Sequence, residues 1–280
     1  MTALHAHDEL LLKAKPSTAP RWLIGVALVL TAIFILAPLL IVFDQALAKG
    51  LKVFADNVAQ AETLHAVWLT AVTALVVVPL NLLFGLAAAW AITKFEFPGK
   101  KLLLTAIDIP FSVSPIVAGV CYLLVYGNNG LFGGWLQAAD IRVMFSVPAI
   151  MLVTLFVTSP FVARELIPLM QVQGRDHEEV AATLGASGWQ IFRRVTLPNI
   201  KWALLYGAVL CNARAMGEFG AVSVVSGNIR GQTNTLPLQV QLLYHDYNAT
   251  GAFAAATILT LLAFVTLILK AILERQTRQH

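Results

Sequence analysis

The stretch from Trp22 to Phe43 carries no charged residue, and at 1.5 Å per residue a helix of that length covers a hydrocarbon core of roughly 30 Å. Lipid offers the backbone no hydrogen-bond partners, so such a run crosses a membrane as a helix. A secretory leader is the competing reading, because Ala46-Leu47-Ala48 mimics a small-residue cleavage site and Lys13, Lys15 and Arg21 supply a basic flank. The apolar run is too long for a leader. Five further runs repeat the signal: Leu64 to Thr93, Leu102 to Tyr126, Phe145 to Ile167, Trp202 to Val225 and Ala252 to Leu273. Composition agrees, since 12% of residues are charged against about 25% in a soluble domain. The expected fold class is all-α: a polytopic membrane protein with six transmembrane helices over 22–273, flanked by tails at 1–21 and 274–280.

The second run is longer than a bilayer needs and contains Pro79 and Gly85, which predicts a tilt, a kink or an extension into water. Gly85, Ala87, Ala88 and Ala89 leave room for another helix to approach. Six spans place both termini on one side. The segments from Lys13 to Arg21, Lys94 to Lys101, Arg164 to Lys201 and Lys270 to Arg278 hold most of the 19 basic residues, whereas Lys49, Lys52, Arg142 and Arg230 fall on the other side. The positive-inside rule then makes both termini cytoplasmic. A net charge of +4 distributed this way gives no support to nucleic-acid binding.

Between the fourth and fifth runs lies a water-exposed loop, 176–198, in which two short helices are written. Asp176 and Glu179 have capping-box spacing, Gly185 closes that helix in a left-handed conformation, and Ser187 with Gln190 repeats the start signal. Pro198 suits the first turn of the following span, where its missing N–H costs nothing. Val180 and Leu184 share one face and Trp189 and Phe192 another, so the loop displays apolar groups that require cover. A partner protein, the ends of the chain's own helices, and lipid headgroups all fit.

The order Glu179, Val180, Ala181, Gly185, then Val195, Leu197 and Pro198 resembles the EAA loop of binding-protein-dependent ABC importer permeases, with Val180 and Val195 departing conservatively from its pattern. The resemblance implies a type I importer permease fold and a coupling helix seated on a separate ATPase. Glu179, Val180, Ala181, Leu184, Gly185, Trp189 and Phe192 are then its ATPase-coupling residues. No Gly-x-x-x-x-Gly-Lys-[Ser/Thr] segment occurs, so the chain has no phosphate cradle of that type. It is expected to have no catalytic site and no cofactor of its own, ATP and Mg residing on the partner. That absence alone fits an ion-coupled carrier equally well.

Polar residues inside spans are expensive and mark function or pairing. Arg214 and Glu218, four apart, are expected to neutralise one another or to face a translocation path. Asp108 precedes Pro110 and Pro115 in a span broken by proline; it is either a path residue or an interfacial carboxylate near Lys100 and Lys101. Arg214, Glu218 and Asp108 form the candidate path or gate. Gly217, Gly220 and Gly227 permit close helix approach. Cys121 and Cys211 stand inside apolar runs at no metal or redox spacing and read as packing residues. His245 and Asp246 read as solvated, and no metal site is expected.

The stretches Arg214–Gly220 and Ser226–Leu238, with Pro110–Gly127 and the continuation through Gln239–Tyr247, resemble oxyanion importers for sulfate, thiosulfate and molybdate. They are most similar to the W-type permease subunits of the sulfate/thiosulfate importers. That resemblance implies a bacterial inner-membrane location and sulfate or thiosulfate import, with molybdate or tungstate as the alternative cargo. It further implies an ATPase dimer, a second related permease and a periplasmic sulfate- or thiosulfate-binding protein as partners. A dianion in transit needs donors that replace hydration without holding it, which points to hydroxyls and N–H groups such as those of Ser223, Ser226 and Asn228. A proton- or sodium-coupled carrier would titrate Asp108 or Glu218 instead. A membrane scaffold would use the apolar loop but not the paired charges.

Overall fold

The structure, a computed structural model, describes residues 21–277, with side chains described from Trp22 to Ile272. The tail expected at 1–21 therefore lies almost wholly outside the described residues, and that at 274–280 is described only in its first backbone positions. Two compact units are distinguished, one ending at Gln45 and the other beginning at Ala46. In the first, α1 (Arg21–Thr31) passes through a π-helical turn at Ala32–Leu36 into α2 (Ala37–Leu47). The wide turn ends just ahead of Pro38, whose ring would meet a carbonyl one turn back in a regular helix.

The second unit begins with α3 (Leu51–Val58) and the long α4 (Ala61–Lys94). After a tight turn come α5 (Lys100–Ser112), α6 (Pro115–Tyr126) and the short α7 (Gly133–Ala138). The fourth expected span is α8 (Val147–Thr158) running into α9 (Pro160–Gln173). Then follow α10 (Asp176–Thr183), α11 (Gly188–Ile191), a second π turn at Phe192–Thr196, α12 (Leu197–Met216), α13 (Gly220–Val225), α14 (Leu236–His245) and α15 (Ala249–Thr277). Every described element is helical.

Four described helices are long and apolar enough to cross a membrane: Trp22–Leu47, Ala61–Lys94, Val147–Gln173 and Ala249–Ile272. The third expected span is instead a pair, α5 and α6, bent by 110°. Ser114 at the bend is extended, with ψ 135°, because the Pro115 ring bars its predecessor from the helical region. The fifth expected span, Trp202 to Val225, also breaks: α12 ends at Met216 and α13 restarts at Gly220. With Lys201, Asn212 and Arg214 on it, α12 falls short of the apolar standard that the four long helices meet.

α4, α9 and α12 pack against one another, α13 against α6 and α8, and α15 against α12 and α14. Gly85 sets the spacing of α4 and α9: a Cβ there would lie 2.6 Å from the Val162 Cβ and 2.9 Å from the Ala163 nitrogen. Ala88, Ala89, Ile92, Val162, Leu166 and Met170 fill the core at that end, and Leu69, Ile150, Val153, Val222 and Leu238 fill the core at the other. Gly220 makes a similar close approach to Pro115, at 3.1 Å, but Gly217 touches no neighbouring helix. Between the two cores Asn81 is fully buried and donates to the Thr158 hydroxyl at 2.7 Å. Cys211 packs beside it, whereas Cys121 faces outward, because α6 turns Ile116, Val117 and Val120 out on the same side.

Candidate functional site

Among the described residues, the loop 176–198 caps the end of the bundle where α4 and α9 finish and α12 begins. Its first helix, α10, does not start as the capping-box spacing predicts: Asp176 is the first helical residue and Arg175 precedes it without a side-chain cap. Asp176, Glu178 and Glu179 all fall in the first turn, where carboxylates complement the helix dipole. The helix does close at Gly185, φ +83°. The Gly185 N–H donates to the Ala182 carbonyl at 3.0 Å and that of Ala186 to Ala181 at 3.1 Å, the paired bonds of a Schellman end. Ser187 and Gln190 form the expected reciprocal capping box of α11.

The second loop helix does not stop before the next span. α11, the π turn and α12 run on without interruption from Gly188 to Met216, the Leu197 N–H bonding back to the Phe192 carbonyl. Pro198 therefore sits inside a continuous helix rather than at the start of one. The π turn accommodates it as the turn at Ala32–Leu36 accommodates Pro38, by widening the helix where a proline N–H is missing.

Val180 is 59% exposed, Leu184 83% and Trp189 69%, so three of the four expected apolar groups project from the loop. Phe192 does not. It is half-buried, with its ring 5.1 Å from that of Trp90 on α4 and 5.5 Å from Trp189, which stacks over it. Ala181 is half-buried and Glu179 exposed; a hollow of about 260 Å³ lined by Trp90, Arg175, Glu179 and Ile191 opens behind them. Glu178 turns inward, pairing with Lys94 at 2.5 Å and accepting a hydrogen bond from the Thr196 hydroxyl at 2.9 Å. Lys100 donates to Glu96 at 2.7 Å, and this bond, its charge and then that of Arg175 hold the Glu96 carboxyl below its ordinary pKa.

Arg214 and Glu218 form an ion pair at 2.6 Å, but across a helix break rather than along one face. Glu218 is 2% exposed, and its other oxygen accepts from the Ala221 N–H at 2.9 Å, so it caps α13 while it holds the arginine. The Arg214 side chain remains partly open. Asp108 does not reach Lys100 or Lys101. It pairs at 2.9 Å with Arg164, whose guanidinium lies 4.3 Å over the Phe111 ring. Arg164, grouped with the loop by its sequence position, is thus inside the run Val147–Gln173. Ser223 bonds to the Gly220 carbonyl, and Ser226 and Asn228 bond to each other, while Asp246 pairs with Arg230 at 2.7 Å. At the end of the bundle remote from the loop, Arg142, Asp140, Phe145 and Ile229 help line a hollow of about 530 Å³.

The residues missed from sequence are Lys94, Trp90, Glu178, Thr196 and Arg164. Glu178 and Thr196 lie within the loop 176–198 but off its motif positions, Trp90 and Lys94 lie near the end of α4, and Arg164 lies inside α9; the partner each meets is set by packing between segments.

Residues 81–279 match the family described as binding-protein-dependent transport system inner membrane component. The chain belongs to this family. As a permease of that kind it is the membrane component of a transporter, a non-catalytic subunit. It is 57% identical over 262 residues to the sulfate transport system permease protein CysW of Escherichia coli (strain K12), covering 93% of this chain and 90% of that protein. To the sulfate transport system permease protein CysT of the same strain it is 34% identical over 250 residues, covering 87% of this chain and 90% of the other. The permease fold is shared with a chain of the bacterial alginate ABC transporter in complex with alginate pentasaccharide-bound periplasmic protein. There the TM-score is 0.73 at 16% identity, covering 92% of this chain and 94% of that one.

Proposed function

We propose that this permease carries sulfate or thiosulfate into the cytoplasm, driven by ATP hydrolysed on a separate subunit pair that docks on the loop 176–198. The observation that carries the reading is the display of Val180, Leu184 and Trp189 around a Gly185 joint at one end of the bundle. Apolar groups so exposed at a helix end call for a protein partner. Glu179, Ala181 and Gly185 shape that contact, and Phe192 acts from behind it as a prop against Trp90. The loop end also carries Lys94, Lys100, Lys101, Arg175, Arg193, Arg194, Lys201 and Lys270, whereas Lys49, Lys52, Arg142 and Arg230 lie elsewhere. This supports a cytoplasmic loop and cytoplasmic termini.

In this reading residues 22–273 form one permease domain, and α12, packed against α4, α9 and α15, is its fifth span. A second, related permease completes the path, on which the open side of Arg214 is presented while Glu218 restrains it. Asp108, pinned by Arg164, stands at its edge. The hollow beside Arg142 receives a periplasmic binding protein. ATP and Mg belong to the ATPase. The cargo rests on the sulfate permeases to which the chain is similar.

The test is reconstitution with the ATPase, the second permease and the binding protein. Uptake of labelled sulfate should require ATP and should be competed by thiosulfate more strongly than by molybdate. Gly185→Trp should leave the complex assembled while hydrolysis continues with little uptake. Uptake that survives complete ATP depletion would mark an ion-coupled carrier, and stronger competition by molybdate would reassign the cargo.

A further inference from the structure

We infer that Glu178 is the positioning residue that makes the loop move as one piece with the spans on either side of it, an inference that rests on the coupling role proposed above. α10 is only eight residues long and is joined to its neighbours through Gly174, φ +66°, and Gly185, φ +83°. Two such joints leave a short helix free to pivot. One carboxylate ties it to both sides, next to the Arg175 guanidinium that reaches the Thr93 carbonyl at 3.5 Å. One Glu178 oxygen meets Lys94 at 2.5 Å on the last turn of α4, and the other accepts from Thr196 at 2.9 Å on the π turn that leads into α12. Lys94 also donates to the Gly174 carbonyl at 2.6 Å, closing the entry joint.

Burial separates this contact from an ordinary surface ion pair. The Lys94 side chain is 9% exposed and that of Glu178 19%, and Thr196 is 3% exposed, so water does not screen the group as it screens an isolated exterior pair. Val180 and Leu184, two and six residues beyond Glu178, face outward. A push on them reaches α4 through Lys94 and α12 through Thr196. Glu179, the acid at the motif position, lies on the exposed side and makes neither contact.

The experiment uses the assembled transporter in nanodiscs with wild type, Glu178→Ala, and Glu178→Gln, which keeps the side chain's size and gives up the charge that holds Lys94. Two quantities are read: anion taken up per ATP hydrolysed, and hydrogen exchange of the amides of 176–183. Glu178→Ala should lower the uptake ratio about tenfold and speed exchange about tenfold, and Glu178→Gln should move both in the same direction by less. Exchange at the wild-type rate in Glu178→Ala overturns the strut whatever transport does. Faster exchange with an unchanged ratio overturns its part in coupling. If Glu178→Ala fails to assemble, Glu178→Gln decides: a lowered ratio with faster exchange supports the strut, and wild-type values of both overturn it. Wild type without ATP-driven uptake sinks the transport reading instead, and the exchange rates still judge the fastening.

Discussion

Glu218 joins two tasks in one side chain. It neutralises Arg214 and starts α13 through the Ala221 N–H, at a position where a lone charge would be costly. Glu218→Ala therefore removes a cap and strands a guanidinium, and should destabilise the folded protein by on the order of 3 kcal/mol. Glu218→Gln keeps an acceptor for Ala221 and should cost less. Thermal unfolding of the two variants in detergent checks the order, and equal melting temperatures would refute the double role. The spacing of Arg214 and Glu218 was enough to expect a pair, but not the helix break between them. The break falls at Gly217, where α12 ends, and Glu218 is then fixed by a backbone group that no side-chain pattern reports.

At the scale of elements, helix spacing depends on small residues and helix continuity on how proline is accommodated. Gly85 is the clearest case, since a methyl group there meets the side chain and backbone of α9. Gly85→Ala should force α4 and α9 apart and cost about 2 kcal/mol, read as a lowered melting temperature, while Ala87→Leu on the exposed side of α4 should be nearly silent. The small-residue run around Gly85 was readable from sequence because periodicity alone puts Gly85, Ala88 and Ala89 on one face. The outcome at each proline was not. Pro115 breaks a span by 110°, whereas Pro198 sits in an unbroken helix behind a π turn; the difference lies in the backbone ahead of each ring, extended at Ser114 and widened into a π turn before Pro198.

For the whole molecule the decisive variable is orientation in the membrane. With Cys121 and Cys211 replaced by Ala, a cysteine at Thr183 on the loop should react with an impermeant maleimide only after cells are opened. A cysteine at Ala138, on the exposed part of α7, should react in intact cells. The reverse pattern would invert the topology and remove the basis for an ATPase on the loop.

Apolar runs, basic clusters and loop spacing determined by themselves that this chain is an all-helical membrane protein and where its exposed loop lies; that it is a permease came from resemblance. Hydrophobicity, charge and short-range spacing are properties of a segment, and they hold before the segment meets any other. Tertiary structure decided that Phe192 turns in to Trp90, that Asp108 finds Arg164, and that Glu178 bridges Lys94 and Thr196. Each of these joins residues distant along the chain or selects one of several equivalent side chains. That choice is made only when helices pack and a buried charge must take whatever partner the packing brings within reach.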